Sequence, residues 1–163
     1  MKKIGVIALL ALIISGISAQ AQNETSSYVT ALGIKAWGDG AGITVKHFAK
    51  PNRALEGIGY FWNRGARFTG LYEFHFDFDG APGLKWYVGP GVHLGIYNND
   101  NNNNPNDGND SGTYIGIDGV LGLDYKFTGA PINLSLDWQP SIELGPNRGF
   151  YGAWGGLGIR YTF

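Results

Sequence analysis

Residues 151–163 restrict the fold of this chain more than any other stretch. Side chains along an extended chain point to alternate faces. One set here is Phe163, Tyr161, Ile159, Leu157, Gly155, Ala153 and Tyr151, apolar with aromatic ends. The other set is Thr162, Arg160, Gly158, Gly156, Trp154 and Gly152, rich in glycine and carrying one charge. A water-soluble sheet would bury the first face, whereas a barrel in a membrane can turn it to lipid.

The same alternation recurs through the chain. Segments 28–37, 43–48, 54–62, 68–76, 84–97, 114–127, 132–143 and 151–163 each read as a strand. The clearest sets Leu84, Trp86, Val88, Val92, Leu94 and Ile96 against Lys85, Tyr87, Gly89, Gly91, His93, Gly95 and Tyr97. Pro90 removes one ladder donor from it, which predicts a bulge or local kink. In 54–62, Glu56 shares a face with Ile58 and Tyr60, which blurs the pattern. Glycine, proline and asparagine clusters at 38–42, 49–53, 63–65, 77–83 and 128–131 mark turns. Residues 98–112 are almost all Asn, Asp and Gly, a composition that cannot bury enough surface to order itself. A calcium loop does not fit there, because Pro105 falls on a ligand position when Gly108 is aligned to the turn glycine.

Eight strands with short turns on one side and a long loop on the other predict an all-β fold, an eight-stranded antiparallel up-and-down transmembrane β-barrel. Strands of about 9–11 tilted residues suffice to cross a bilayer. A barrel of this size has an interior about filled by side chains. The start of the chain reads differently. Lys2 and Lys3 precede a short apolar run to Ile17, and Ala19-Gln20-Ala21 is a small-x-small cleavage site. Residues 1–21 are therefore expected to be a secretory signal peptide and 22–163 the barrel. The absence of cysteine removes disulfides, thiolate catalysis and cysteine metal sites. A net charge of −1 gives no basic patch for nucleic acid.

Orientation decides what the barrel is. Eight strands have no room inside for so many large apolar side chains, so the glycine-and-charge face is expected to line the lumen. Unpaired charges there would be very costly and paired ones much less so. The expected lumen network is Lys35, Lys46, Glu56, Glu73, His75, Lys85, His93, Asp118, Asp124, Lys126, Asp137, Glu143 and Arg160. The expected membrane-interface aromatics are Tyr28, Phe68, Trp86, Tyr125, Phe127, Trp138, Tyr151, Tyr161 and Phe163.

The segments carrying His47-Phe48, Ala54-Leu55-Glu56-Gly57, Thr69 to Glu73, Trp86 to Gly89, Ile117-Asp118-Gly119, Pro131 to Trp138 and Ile159 to Phe163 resemble the small Gram-negative outer-membrane β-barrel proteins of the OmpX/OmpA-like, porin-like group. The resemblance spans essentially all of 22–163. It implies export to the outer membrane, contact with outer-membrane lipid, and a terminal assembly signal at Tyr161 and Phe163 that the barrel-assembly machinery reads. It implies roles in envelope integrity, adhesion or limited permeation.

Little in the sequence points to catalysis. Of the three histidines, His75 and His93 fall on the lumen face without the spacing of a metal site. His47 faces outward, as in outer-membrane lipid deacylases that use a His–Ser pair, but no serine neighbours it in sequence. No cofactor is expected. The expected role is a structural or interaction barrel presenting surface loops. The alternatives are a narrow pore for water, ions or small solutes and, behind it, a lipid-modifying enzyme.

Overall fold

The computed structural model describes residues 28–38, 40–63, 65–97, 112–144 and 149–163. The expected signal peptide and the Asn-rich stretch 98–111 lie outside the described residues. Among those described, the strand segments are β1 (Thr30–Trp37), β2 (Gly40–Lys50), β3 (Arg53–Trp62), β4 (Gly65–Asp77), β5 (Leu84–Tyr97), β6 (Gly112–Lys126), β7 (Ile132–Trp138), β8 (Ser141–Leu144), β9 (Gly149–Tyr151) and β10 (Gly155–Thr162). All pairings are antiparallel: β1 to β7 pair in chain order, β8 pairs β6 and β9, β10 pairs β7, and β1 pairs β10, so the sheet closes on itself. The result is an eight-walled barrel in which β7 and β8 make one wall and β9 and β10 the next.

Each divided wall has a local cause. Leu121↔Trp138 and Asp118↔Ser141 hold one register across the β7–β8 gap. Pro140 sits in that gap and has no N–H for the ladder, though its carbonyl still accepts from Gly119 N at 2.8 Å. In the last wall, Trp138 to Ser141 is three steps and the facing Gly155 back to Tyr151 is four. One extra residue is inserted there, a bulge.

Pro90 behaves differently from expectation. The pairs Leu71↔Gly91 and Phe74↔Val88 keep one register, and only the two pairs between them are missing. On the other side Gly89↔Val120 and Pro90↔Gly119 pair without interruption. Proline thus deletes a hydrogen bond toward β4 and produces no bulge. The irregularity of this half lies instead between Phe48 and Lys50. The glycines at 40 and 42, read as a turn, belong to β2, and the hairpin tightens onto Gly38, whose φ of 59° lies in the left-handed region that favours glycine.

Closure joins the two ends of the described chain. Phe163 N donates to Thr30 O at 2.8 Å and Val29 N to Phe163 O at 3.2 Å. Side chains then sort by parity. Ile34, Ile43, Leu55, Val92, Ile115, Leu136, Ile142 and Leu157 are among the large apolar residues left exposed. Among the described residues, nineteen polar or charged ones are buried against eight apolar ones. That inverts the usual distribution in water-soluble proteins. The exception is the stretch already blurred in sequence: Ile58 and Tyr60 follow Glu56 inward and pack with Leu71, Tyr87 and Val120.

Candidate functional site

The lumen is the one place where the walls converge on chemistry. Glu56 of β3 is its hub. Its Oε1 accepts from Thr44 Oγ1 at 2.6 Å and Lys35 Nζ at 3.3 Å, and from Arg160 Nη2. Its Oε2 lies 3.2 Å from Lys46 Nζ. Arg160 also donates Nε to Thr44 Oγ1 at 3.2 Å and Nη1 to Asn133 Oδ1 and Ser135 Oγ at 3.1 and 2.8 Å. Its planar fork thereby ties β10 to β2, β3 and β7.

Two carboxylate arms extend from this hub. On one, Lys46 Nζ lies 2.8 Å from Glu73 Oε2, which also meets His75 Nε2 at 2.8 Å. Lys46 lies 3.6 Å from Asp124 as well, and Asp124 accepts from Asn133 Nδ2 at 2.9 Å and Tyr28 Oη at 3.2 Å. On the other arm, Asp137 accepts from Lys35 Nζ, from Tyr87 Oη at 2.6 Å and from Gln139 Nε2 at 2.7 Å. Three cations (Lys35, Lys46, Arg160) therefore face four carboxylates (Glu56, Glu73, Asp124, Asp137), and neutral donors from tyrosine, asparagine and glutamine serve the excess. Buried charges are tolerated when they are paired, although Glu73 Oε1 and His75 Nδ1 are buried here without a hydrogen-bond partner among the described residues.

A second cluster lies toward the opposite end, where β4 begins. Arg67 pairs with Asp118 and donates Nε to Thr69 Oγ1 at 3.2 Å. His93 Nδ1 stands 3.0 Å from Asp118 Oδ2.

Aromatic rings cluster toward both ends. At the end holding the start of β1, Tyr28 meets Phe48 edge-on at 5.0 Å, Phe48 meets His75 at 4.7 Å, and His75 stacks on Tyr87 at 4.9 Å. At the other, Trp154 lies 6.0 Å from Tyr60 and 5.7 Å from Trp62, with the Arg67 guanidinium 4.4 Å from its ring. Such ring contacts add about 0.5–1.5 kcal/mol each beyond the area they bury.

The inward glycines explain how large side chains fit. A Cβ on Gly122 would stand 2.5 Å from the Tyr87 ring, and one on Gly116 2.3 Å from His93. One on Gly156 would meet Lys35 Cε at 2.6 Å and Tyr60 Oη at 2.8 Å. These glycines yield their space to a long side chain reaching across from another wall.

Most predicted lumen residues are brought together: Lys35, Lys46, Glu56, Glu73, His75, Asp124, Asp137 and Arg160 in the main network, His93 and Asp118 in the second. Glu143 is buried and faces inward, with no ion pair among the described residues. Three expectations need correction. Lys85 is a rim residue paired with the exposed Asp77 at 2.7 Å. Lys126 turns back onto its own hairpin, donating to Phe127 O at 2.8 Å and Ala130 O at 2.6 Å. Both sit at strand ends, where a flexible stem reaches the rim more readily than the axis. Tyr28 is no lipid-facing aromatic. It precedes β1, so parity does not bind it, and Asp124 draws its hydroxyl inward.

The other belt aromatics face outward or lie at the rim. Phe68, Tyr125, Phe127, Trp138, Tyr151 and Tyr161 are exposed. Trp86 stacks on Phe76 at 4.3 Å, and Phe163 meets Tyr161 edge-on at 5.0 Å. The sequence reading missed Arg67. It shares parity with Thr69, Glu73 and His75, and starting that strand one residue earlier would have placed it in the lumen. Outside, Thr30 Oγ1 lies 2.9 Å from His47 Nδ1, a hydroxyl that register brings alongside and sequence spacing hid. No carboxylate orients that imidazole among the described residues. Nor is any group of three His, Asp or Glu residues there arranged to hold a metal ion.

No protein-family model matches the sequence, and no curated protein matches it. Among solved structures, the N-terminal β-barrel domain of Pseudomonas aeruginosa OprF is similar, with a TM-score of 0.61 and 20% sequence identity. The match covers 82% of this chain and 94% of that domain. The chain therefore has the fold of a small outer-membrane β-barrel, carried on a largely different sequence.

Proposed function

We propose that the protein is an integral barrel of a Gram-negative outer membrane with a filled, non-conducting lumen. Its role is structural or interactive, holding its connecting loops at the cell surface. The observation that carries this reading is the continuous network around Glu56 and Arg160, with aromatic contacts toward both ends. The exposed apolar belt supports the membrane part, because water-soluble monomers seldom leave so continuous an apolar surface uncovered. The inward glycines support the filled lumen, since side chains from other walls already occupy their space. The reading assigns no catalytic role to the outward His47–Thr30 pair, beside which no orienting carboxylate stands among the described residues.

The test is one preparation measured twice. Detergent-extracted protein should migrate differently on a gel before and after heating, as folded barrels do, and should give no stable channels in a planar bilayer. Stable channels from the folded wild-type protein would overturn the sealed lumen in favour of a narrow pore. A freely water-soluble, folded monomer without amphiphile would overturn the membrane reading itself.

A further inference from the structure

The outward face of β3 and β4 carries two features that the lumen does not use. The first is a shallow trough. Moving away from the end where β1 starts, the outward cross-strand pairs are Arg53 with Phe74, Leu55 with Tyr72, and Gly57 with Gly70. A Cβ on Gly57 or Gly70 would meet nothing within 4 Å, so bare backbone forms the floor. Leu55, Tyr72, Pro90 and Val92 rise around it, and the open hollow holds about 520 Å³.

The second feature is a pair of cations without a counter-charge. Arg53 is half-buried, its guanidinium carbon 5.6 Å from the Phe74 ring centre. Its cross-strand neighbour Lys50 is exposed. Neither has a carboxylate partner among the described residues. Four residues of strand separate Arg53 from Gly57, a span of roughly 13 Å.

We propose that this face binds one anionic glycerophospholipid from the leaflet at the end that holds the start of β1. The headgroup phosphate rests on Arg53 and Lys50, and one acyl chain runs past Leu55 and Tyr72 onto the Gly57–Gly70 floor. This rests on the membrane reading above. Charge decides between occupants. A second copy of the chain packed through a two-fold contact would bring a second Arg53 and Lys50 to the same place. A phosphate supplies the missing negative charge, and cations near a membrane surface attract such groups individually. The longest connection, residues 98–111, joins β5 to β6 at the opposite end; longer loops are extracellular in outer-membrane barrels, which assigns this end to the periplasmic side, where the leaflet is phospholipid.

The experiment folds the intact chain in mixed micelles of phosphatidylglycerol and phosphatidylcholine at equal amounts and counts retained lipids by native mass spectrometry. Gel migration before heating confirms folding for each variant. The wild-type protein should retain phosphatidylglycerol preferentially. Arg53→Gln with Lys50→Gln should cut that preference about fivefold for each cation removed. Gly70→Leu, which fills the trough from the outside, should lower retention of both lipids and leave the remaining preference intact. Equal retention of the two lipids by the wild type would overturn the proposal, as would a preference that survives loss of both cations. A wild-type dimer that Gly70→Leu converts to monomer would overturn it in favour of a second copy. Each of these results is read on a protein folded in amphiphile, so none depends on the membrane reading failing.

Discussion

Arg160→Met is the sharpest probe of the lumen. Methionine keeps much of the side-chain volume and removes the guanidinium. The change leaves two cations, Lys35 and Lys46, against the four carboxylates Glu56, Glu73, Asp124 and Asp137. It also strips Asn133 Oδ1 and Ser135 Oγ of a donor. Breaking a buried ion pair by deleting one partner costs about 3–5 kcal/mol. That is a large part of a typical folding free energy of about 5–15 kcal/mol. Denaturant unfolding of the barrel in lipid vesicles, followed by tryptophan fluorescence and by gel migration before heating, measures the loss.

The companion variant is Arg160→Met with Glu56→Gln, which removes the charge that the first change orphans. Its destabilisation should be smaller than the sum of the single changes by about 0.5–3 kcal/mol, the range for residues sharing one network. A loss below about 1 kcal/mol for Arg160→Met, the scale of an exposed pair, would refute the reasoning. Strict additivity of the two changes would refute it too.

Three further outcomes are expected. Gly89→Ala should prevent folding into the heat-modifiable form, because its Cβ would stand 1.8 Å from Tyr72 O, a backbone atom that cannot move aside; Gly57→Ala, whose Cβ meets nothing, should fold normally in the same gel assay. Pro90→Ala restores an N–H opposite β4 where two ladder pairs are missing, and should raise the denaturant midpoint by an amount equivalent to about 0.5–1 kcal/mol. Deleting Phe163 removes the carbonyl that Val29 N and Thr30 N share and the N–H given to Thr30 O, so the fraction of protein assembled in the outer-membrane fraction should fall several-fold.

Legibility followed a physical boundary. Within regular strands the period of two is enforced by the pleat, so Lys35, Lys46, Glu56, Glu73, Asp124, Asp137 and Arg160 could be placed in the lumen from spacing alone. At strand ends the constraint lapses. Tyr28 turned inward, while Lys85 and Lys126 stayed at the rim, because each lies where the backbone no longer dictates direction. The inward Ile58 and Tyr60 kept parity with Glu56 and broke the apolar-outside pattern, and the space they needed was supplied by glycines on distant walls.

The order of residues alone settled the class of fold, the number of walls and, outside the blurred segment 54–62, which face of a strand is polar, since those depend only on local periodicity. Register and closure settled the rest. Thr30 meets His47, Trp154 meets Arg67, and Glu56 gathers Lys35, Lys46 and Arg160 only once the sheet has curved shut. These partners lie as far apart as 104 residues in the chain. No local pattern encodes which cation will reach which carboxylate; the diameter and stagger of the closed barrel do.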